Sequence, residues 1–252
     1  MRVIHSLIIA FSTYSRIPMP QVEWSENHSR YVMCFFPLIG AVIGLLLWFW
    51  LYLCDILSIG PLLRGAVSAL LPPFISGGIH MDGFMDTCDA LASWQSRERR
   101  LEILRDSHVG AFAVMGCCGY LLISAALFSE ADIRSAPLLA VCFVLSRTMS
   151  AWVMTVFKSA RPEGTLGSLS RMAHRHAVGA SSAAYAALCV AAWFLLDAWM
   201  APACAAAAAL CLLAYRRMAY RYFGGVTGDL AGWFVQMTEL CLTAVIILGG
   251  KL

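Results

Sequence analysis

The chain has few charged residues. Only 13% of its 252 residues are Asp, Glu, Lys or Arg, which is about half of the usual share in a soluble domain. Apolar residues make up 60%. A soluble domain of this size keeps much of its surface in water and needs a more polar exterior. The composition excludes an ordinary soluble domain, a disordered chain and a fibrous protein, and it indicates a membrane protein.

The sequence also lacks paired cysteines of the C-x-x-C type, although it contains ten cysteines. Most of them lie inside apolar runs, where cysteine behaves as a small hydrophobic residue of packed helices. The cysteine pattern therefore supports neither a disulfide framework nor a zinc site.

Long apolar runs dominate the chain, and several approach the roughly 20 residues that a helix needs to cross a bilayer. They do not alternate as the strands of an outer-membrane barrel do. The second run is broken by prolines and an arginine. We expect an all-α, polytopic helical membrane bundle that forms one domain over residues 1–252. Its seven candidate spans are Tyr31–Leu53, Ile56–Ile75, Gly110–Phe128, Pro137–Phe157, Val178–Leu196, Ala201–Tyr215 and Leu230–Leu248.

The positive charges indicate an orientation. If the N-terminus is inside, 14 of the 18 Lys and Arg residues fall in cytoplasmic segments, and so do all six histidines. Cytoplasmic loops normally carry this excess. The stretch Val3–Phe11 is too short to span and is expected to be an interfacial helix. We expect a protein of the cytoplasmic membrane whose N-terminus and functional groups face the cytoplasm.

Three aspartates form the most informative pattern. Asp82, Asp86 and Asp89 stand at i, i+4 and i+7, so a helix places them on one face. Like charges at this spacing repel one another, more strongly near a membrane. A hard cation relieves this repulsion, and Mg²⁺ typically takes one or two carboxylates together with water and substrate phosphates. The alternative is a polar loop whose aspartates cap helices.

Glycines and polar residues flank these aspartates. Gly77 and Gly78 allow a phosphate to approach backbone N–H groups, and His80 lies beside them. Asp106 and His108 stand where the chain re-enters the membrane. They either cap the next helix or contact a metal or phosphate, with His108 as a possible proton acceptor.

Two later segments have the composition of phosphate sites. Lys158 and Arg161 adjoin a glycine-rich turn and suit a phosphate, although ordinary cytoplasmic loops look similar. The segment that opens the last span resembles an anion-binding turn at the start of a helix. Its Asp229 is either functional or the N-terminal cap of that helix. The candidate phosphate contacts in this turn are Gly225, Thr227 and Gly228.

Two charges lie inside predicted spans. Glu239 is about 15 Å along the helix from Asp229, and an intramembrane carboxylate is a functional-site candidate. Arg147 is its candidate counter-ion or a phosphate ligand. Because Asp, Gly and Lys/Arg clusters share one membrane face, the residues alone predict a membrane-embedded, Mg²⁺-dependent enzyme acting on a phosphate or diphosphate compound.

The motifs also match a known family in order and spacing. They are Phe11–Pro18, Phe36–Gly40, G-G-x-H-x-D-G-x-x-D-x-x-D at Gly77–Asp89, Arg105-Asp106-Ser107 with Gly110, Ser146-Arg147, Arg161 with Glu163-Gly164, and G-G-x-T-G-D-x-x-G at Gly224–Gly232. With them the chain resembles the cobalamin synthase family, the adenosylcobinamide-GDP ribazoletransferases, over nearly its whole length. It departs from the family at Gln236, where Glu is common, which makes Glu239 the better candidate for a metal role.

The resemblance implies a reaction and its partners. A ribose hydroxyl of α-ribazole, or of its 5′-phosphate, attacks the cobinamide-side phosphorus of adenosylcobinamide-GDP, and GMP leaves. Such enzymes are integral to the cytoplasmic membrane and use Mg²⁺. Asp82, Asp86 and Asp89 would hold Mg²⁺ against the diphosphate, and Asp229 and Glu239 are further candidate ligands. Besides these substrates and the lipid bilayer we expect no nucleic acid, and a homo-oligomer is possible.

The remaining roles implied by the resemblance concern charge and protons. Arg147, Lys158 and Arg161 would offset the charge that develops on the phosphate. His80, His108 or one of the aspartates, Asp106 included, would accept the hydroxyl proton. Two other classes stay open: a membrane phosphotransferase of the CDP-alcohol phosphatidyltransferase kind, and an ion-coupled transporter with Glu239 and Arg147 in its pathway.

Overall fold

The structure, a computed structural model, describes residues 2–23, 25–161 and 173–251. These residues form α-helices and one π-helical turn, Ala219–Phe223, joined by short connections. The α-helices are α1 (Arg2–Tyr14), α2 (Glu26–Ser29), α3 (Val32–Ile56), α4 (Pro61–Ile75), α5 (Ile79–Ala92), α6 (Arg97–Ile103), α7 (Ala111–Ser129), α8 (Ala136–Val156), α9 (Arg175–Leu196), α10 (Met200–Met218) and α11 (Gly228–Gly249).

The predicted polytopic helical bundle is confirmed. Within the described ranges, five helices are long and apolar enough to cross a membrane, namely α3, α7, α8, α9 and α11. They correspond to five of the seven predicted spans. The sixth predicted span is the 19-residue α10, which falls outside this group and carries Arg216 and Arg217 in its last turn.

The second predicted span, Ile56–Ile75, needs a correction. The helix α4 begins only at Pro61 and has 15 residues, or about 22 Å, less than the roughly 30 Å of a hydrocarbon core. After Pro72 and Pro73 the chain turns through Gly77 and Gly78, whose φ angles are +67° and +81°. The axis of α5 then makes an angle of 96° with that of α4. Together the two helices are long and apolar enough to form one broken span or one re-entrant element.

The centre of the bundle is a close pair of helices, α3 and α8, because two glycines of α3 face the α8 backbone. A Cβ atom on Gly40 would stand 2.1 Å from the Phe143 carbonyl oxygen, and one on Gly44 would stand 2.8 Å from Ala140 Cα. The helices α9 and α11 pack on α8, and the short α1 packs on α3. The N-terminal helix buries Ile9 and Ala10 in this core and leaves Val3 and Ile4 exposed.

A second glycine contact joins α5 to α11. A Cβ atom on Gly83 would lie 2.7 Å from Asp229 Cα, and one on Gly232 would lie 2.9 Å from the His80 carbonyl oxygen. The two backbones therefore touch without intervening side chains. This crossing places the first turn of α11 beside the aspartate face of α5.

Replacing Gly83 with alanine should destabilise the bundle, because the added methyl group meets backbone atoms that have no room to move. Overpacking of this kind costs about 1–3 kcal/mol, so we expect a lower unfolding midpoint for Gly83→Ala in detergent, followed by tryptophan fluorescence. The control is Gly119→Ala in α7, where a Cβ atom meets nothing within 4 Å. Equal midpoints for the two variants would show that the crossing tolerates a side chain.

Candidate active site

Residues from three separate segments meet where α5 and α11 cross. The Asp86 carboxylate interacts electrostatically with Asp82 and Asp89 of its own helix, with Asp229 of α11 and with Arg161 after α8. Four carboxylates and one guanidinium therefore share one region at the end of the bundle. The structure brings together the aspartate motif, the glycine turn and the basic segment that the sequence analysis selected.

A short backbone pairing holds the basic segment in place. The Val226 N–H donates to the Lys158 carbonyl oxygen at 2.9 Å, and the Ala160 N–H donates to the Val226 carbonyl oxygen at 2.9 Å. Gly225 is required here, because a Cβ atom would stand 2.4 Å from the Lys158 carbonyl oxygen. The chain after α8 thus runs against the glycine turn that opens α11.

Arg161 connects this segment to the carboxylates. Its Nη1 lies 3.7 Å from Asp229 Oδ2, and its Nη2 donates to the Leu101 carbonyl oxygen. Burial lowers the pKa of the guanidinium, and the charge of Asp229 opposes that shift, so Arg161 remains a cation at any physiological pH. Glu163 and Gly164, which follow Arg161 in the motif that carries the family resemblance, lie outside the described residues.

Thr227 caps α11. Its Oγ1 accepts a hydrogen bond from the Leu230 N–H at 3.2 Å, which is the usual geometry of a threonine cap. The alternative that Asp229 caps this helix is therefore wrong. The hydroxyl of Thr227 also reaches Asp229 Oδ2 at 3.4 Å, so it orients a carboxylate that stays available to a cation.

Asp89 caps a neighbouring helix. Its Oδ2 accepts from the Gly110 N–H at 2.7 Å and its Oδ1 accepts from the Ala113 N–H at 2.8 Å, so it satisfies two donors at the start of α7. A side chain at Gly110 would collide with this carboxylate, since a Cβ atom would stand 2.4 Å from Oδ2. Each carboxylate oxygen keeps a further lone pair, and a metal-binding role for Asp89 stays a prediction.

Asp106 and His108 do not provide that cap. Asp106 Oδ1 accepts from the His108 N–H at 3.0 Å and contacts His108 Nδ1 at 2.7 Å. The two side chains are 55% and 90% exposed. The backbone hydrogen bond from His108, followed by the side-chain one, lowers the pKa of Asp106. In the part of the chain that the structure describes, no contact joins this pair to the aspartates of α5.

Arg147 and Glu239 form a buried ion pair within the bundle. Arg147 Nη1 lies 2.5 Å from Glu239 Oε1, and the side chains are 1% and 3% exposed. Ser146 Oγ also donates to Glu239 Oε1 at 2.9 Å. The structure thus supports the counter-ion interpretation of Arg147. Glu239 is paired with an arginine rather than placed among the aspartates, and a metal role for it stays a prediction.

Asp82 lines two cavities. The first has a volume of about 150 Å³ and lies between α1, α3, α5, α8 and α11; it is lined by Tyr14, Phe36, His80, Asp82, Ser150 and Asp229, among others. The second is larger, about 410 Å³, and more open; it is lined by Arg16, Pro73, Gly77, Gly78, Asp82 and others. The sequence analysis gave no role to Tyr14 or Arg16, although both lie in the motif Phe11–Pro18 that carried the resemblance.

The residues fit a magnesium ion that is shared with a phosphate substrate. Among the described residues, no three His, Cys, Asp or Glu side chains stand close enough to hold an ion by themselves. Mg²⁺ rarely needs such a cage, since it is usually bound through one or two carboxylates and completed by water and substrate oxygens. Asp82, Asp86 and Asp229 supply oxygen ligands of the right type beside an open cavity.

Removing one member of the Arg147–Glu239 pair should destabilise the fold more than removing both. A single Glu239→Leu change leaves a buried guanidinium unpaired, and such losses cost about 3–5 kcal/mol. The double variant with Arg147→Met and Glu239→Leu should recover part of the unfolding midpoint, because apolar side chains replace both charges. If Glu239→Leu unfolds at the midpoint of the unchanged protein, the pair contributes nothing to stability.

The chain is similar to known proteins over nearly its whole length. A family model described as cobalamin-5-phosphate synthase matches residues 6–247. A protein of Lachnoclostridium phytofermentans named adenosylcobinamide-GDP ribazoletransferase is 40% identical over 98% of this chain and 95% of its own length. Proteins of the same name from Geobacillus thermodenitrificans and Desulfitobacterium hafniense are 34% and 32% identical, covering 95% and 93% of this chain and 94% and 93% of their own lengths. No solved structure matches the chain. The chain therefore belongs to the cobalamin-5-phosphate synthase family.

Proposed function

We propose that this protein is an adenosylcobinamide-GDP ribazoletransferase. A ribose hydroxyl of α-ribazole, or of its 5′-phosphate, attacks the cobinamide-side phosphorus of adenosylcobinamide-GDP. The new P–O bond gives adenosylcobalamin or its 5′-phosphate, the bond to the GMP oxygen breaks, and GMP leaves. The observation that carries this proposal is the meeting of Asp82, Asp86, Asp229 and Arg161 at one crossing, in a chain that resembles named transferases over nearly its full length.

The charges at the crossing suit a diphosphate donor. A diphosphate is strongly anionic, and four carboxylates alone would repel it. Mg²⁺ bound to one or two of Asp82, Asp86 and Asp229, and completed by water and substrate oxygens, would neutralise both partners and polarise a phosphoryl oxygen. Arg161 and Lys158 add positive charge from the segment that pairs with the glycine turn. The turn at Gly77 and Gly78 lines the open cavity, where its backbone can approach a phosphate closely.

The position of Asp82 supports a proton-accepting role. His108 lies on an exposed loop, so the candidate acceptors near the cavities are His80 and the carboxylates. Of these, Asp82 lines both cavities, so a hydroxyl held in either one lies near its carboxylate. We assign the ribose hydroxyl proton to the Asp82 oxygen that does not face the cation, and positioning of the two reactants supplies the rest of the rate enhancement.

The proposed location is the cytoplasmic membrane, with the site on the cytoplasmic side. Fourteen of the 18 Lys and Arg residues fall on that side if the N-terminus is inside. The aspartates, Arg161 and the start of α11 belong to those same segments. This orientation gives the site access to soluble nucleotides, and GMP would be released into the cytoplasm. A homo-oligomer stays a prediction.

The direct test uses purified protein in nanodiscs with adenosylcobinamide-GDP and α-ribazole, with and without Mg²⁺. We expect GMP and a cobalamin product by chromatography, only when Mg²⁺ is present. Product formation in excess chelator would refute the metal assignment. No product from folded protein, across both forms of the acceptor, would refute the transferase reaction itself.

Asn substitutions test whether the negative charges of the carboxylates are needed for activity. Asp82→Asn and Asp86→Asn keep the side-chain shape but remove a charge that binds the cation, so we expect GMP release to fall by about a hundredfold or more. Asp55→Asn is the matched control, because Asp55 is exposed at the end of α3. Full activity in folded Asp86→Asn protein would contradict the metal model.

A further inference from the structure

The wall of the larger cavity carries an arginine that belongs to neither the aspartate motif nor the two basic and glycine-rich segments. Arg16 lines this cavity together with Asp82, and its side chain is exposed. Among the described residues of the wall, Arg16 is the one cation and Asp82 the one carboxylate. The rest of the wall is glycine, proline or apolar: Leu70, Pro73, Phe74, Gly77, Gly78, Met81 and Met85.

The backbone at Arg16 is held in place by hydrogen bonds. The Ser15 hydroxyl accepts from the Ile17 N–H at 3.3 Å, which turns the chain after α1. The Arg16 N–H donates to the Ile75 carbonyl oxygen at 2.8 Å, where α4 ends. The position of Arg16 at the cavity is therefore set by the ends of two helices.

The Arg16 side chain lies across the glycine turn between α4 and α5. A Cβ atom on Gly77 would stand 3.1 Å from Arg16 Cγ and 3.5 Å from Arg16 Nε. Gly77 also has a φ angle of +67°, which favours glycine. The apolar stem of the arginine thus packs on the turn, and an arginine held in this way loses less conformational entropy when it binds a ligand.

The two opposite charges of this cavity do not pair with each other. In the part of the chain that the structure describes, the Arg16 side chain forms no hydrogen bond or ion pair with Asp82 or with any other residue. Both side chains instead face a shared space of about 410 Å³. An anion carried by a metal ion at Asp82 would fill this space, with the cation on one side and the guanidinium on the other.

The chemistry of the guanidinium favours a phosphate as that anion. Arginine presents its N–H donors in a planar fork that matches the oxygens of a phosphate. Apolar neighbours such as Phe74 and Met81 reduce the local polarity, which strengthens a charge-assisted hydrogen bond. A diphosphate has oxygens on two phosphorus atoms, so some can complete the coordination of Mg²⁺ while others accept from Arg16. Only the diphosphate needs to enter, since the cavity is open and the bulky groups attached to it can remain outside.

We propose that Arg16 binds the diphosphate of the donor in the larger cavity, across from the metal-binding carboxylate of Asp82. This assignment rests on the proposed function, in which the donor is adenosylcobinamide-GDP. Arg16 is a substrate-binding residue that acts on the donor and not on the acceptor. It places the diphosphate between a fixed guanidinium and the cation before the reaction begins.

Steady-state kinetics in nanodiscs test the assignment. Arg16→Gln keeps the part of the stem that packs on Gly77 and removes the charge. We expect the KM for adenosylcobinamide-GDP to rise about tenfold or more, because a hydrogen bond between charged groups is lost. The KM for α-ribazole should not change. Arg16→Lys, which keeps the charge without the fork, should give an intermediate donor KM.

Arg217→Gln is the matched control. Arg217 is an exposed arginine in the last turn of α10 and lines neither of the two cavities, so both KM values should stay unchanged. Calorimetry with inorganic pyrophosphate and Mg²⁺ then measures binding without turnover. Arg16→Gln should bind pyrophosphate about tenfold more weakly than the unchanged protein, and Arg217→Gln should bind it equally well.

A lipid headgroup offers the same phosphate chemistry, and the composition of the nanodisc distinguishes the two sources. The donor KM is measured in phosphatidylcholine nanodiscs with and without phosphatidylglycerol, and we expect equal values. If phosphatidylglycerol raises the donor KM of the unchanged protein but not that of Arg16→Gln, a lipid phosphate occupies the arginine and the assignment is overturned.

The kinetic outcomes are also distinct. An unchanged donor KM in folded Arg16→Gln protein overturns the assignment, and so does an equal rise in the KM values of donor and acceptor. Pyrophosphate binding that depends on Arg16, in protein that releases no GMP, would refute the proposed transferase reaction and leave the diphosphate site in place.

Discussion

Direct backbone contact between α5 and α11 determines where the charges of this protein stand. Gly83 and Gly232 present no side chain at the crossing, so the helices approach closely enough for Asp229 to join the aspartates of α5. With ordinary side chains at these positions the helices would separate by several ångströms and the carboxylates would disperse. The same crossing encloses the smaller cavity, since both helices contribute to its wall.

Crowding carboxylates in this way is unfavourable for folding, and the surrounding structure offsets it. The charge of Asp89 is stabilised by two N–H donors at the start of α7, where the helix dipole also favours a negative charge. Arg161 lies beside Asp229. Asp82 and Asp86 keep their repulsion, which a cation and an anionic substrate together would relieve.

The sequence predicts what depends on composition and on local spacing. The length of the apolar runs is enough to predict the five clear spans. A charge inside a span, such as Glu239, needs a partner of opposite charge, and Arg147 is the cation that the sequence offers inside another span. Contacts between residues far apart in the sequence were harder to predict. Asp106, close to α7 in sequence, is a plausible cap for that helix, whereas Asp89 lies 21 residues before Gly110 and reaches it only through the packing of α5. At the start of α11, Thr227 and Asp229 both have capping side chains, and backbone geometry alone decided between them.

The arrangement of the two cavities also bears on water. A phosphoryl donor activated by a cation is open to hydrolysis, and excluding water from the reacting phosphorus is one protection. The smaller cavity lies between five helices, with aromatic rings on its wall. His80 lies within electrostatic range of Arg147, and Arg147 is paired with Glu239 in the interior of the bundle. The larger and more open cavity, which Asp82 also lines, leaves room for a bulky donor and for the departing nucleotide. The larger cavity thus suits the large donor of the proposed reaction, and the narrower cavity limits the access of water to the opposite side of Asp82.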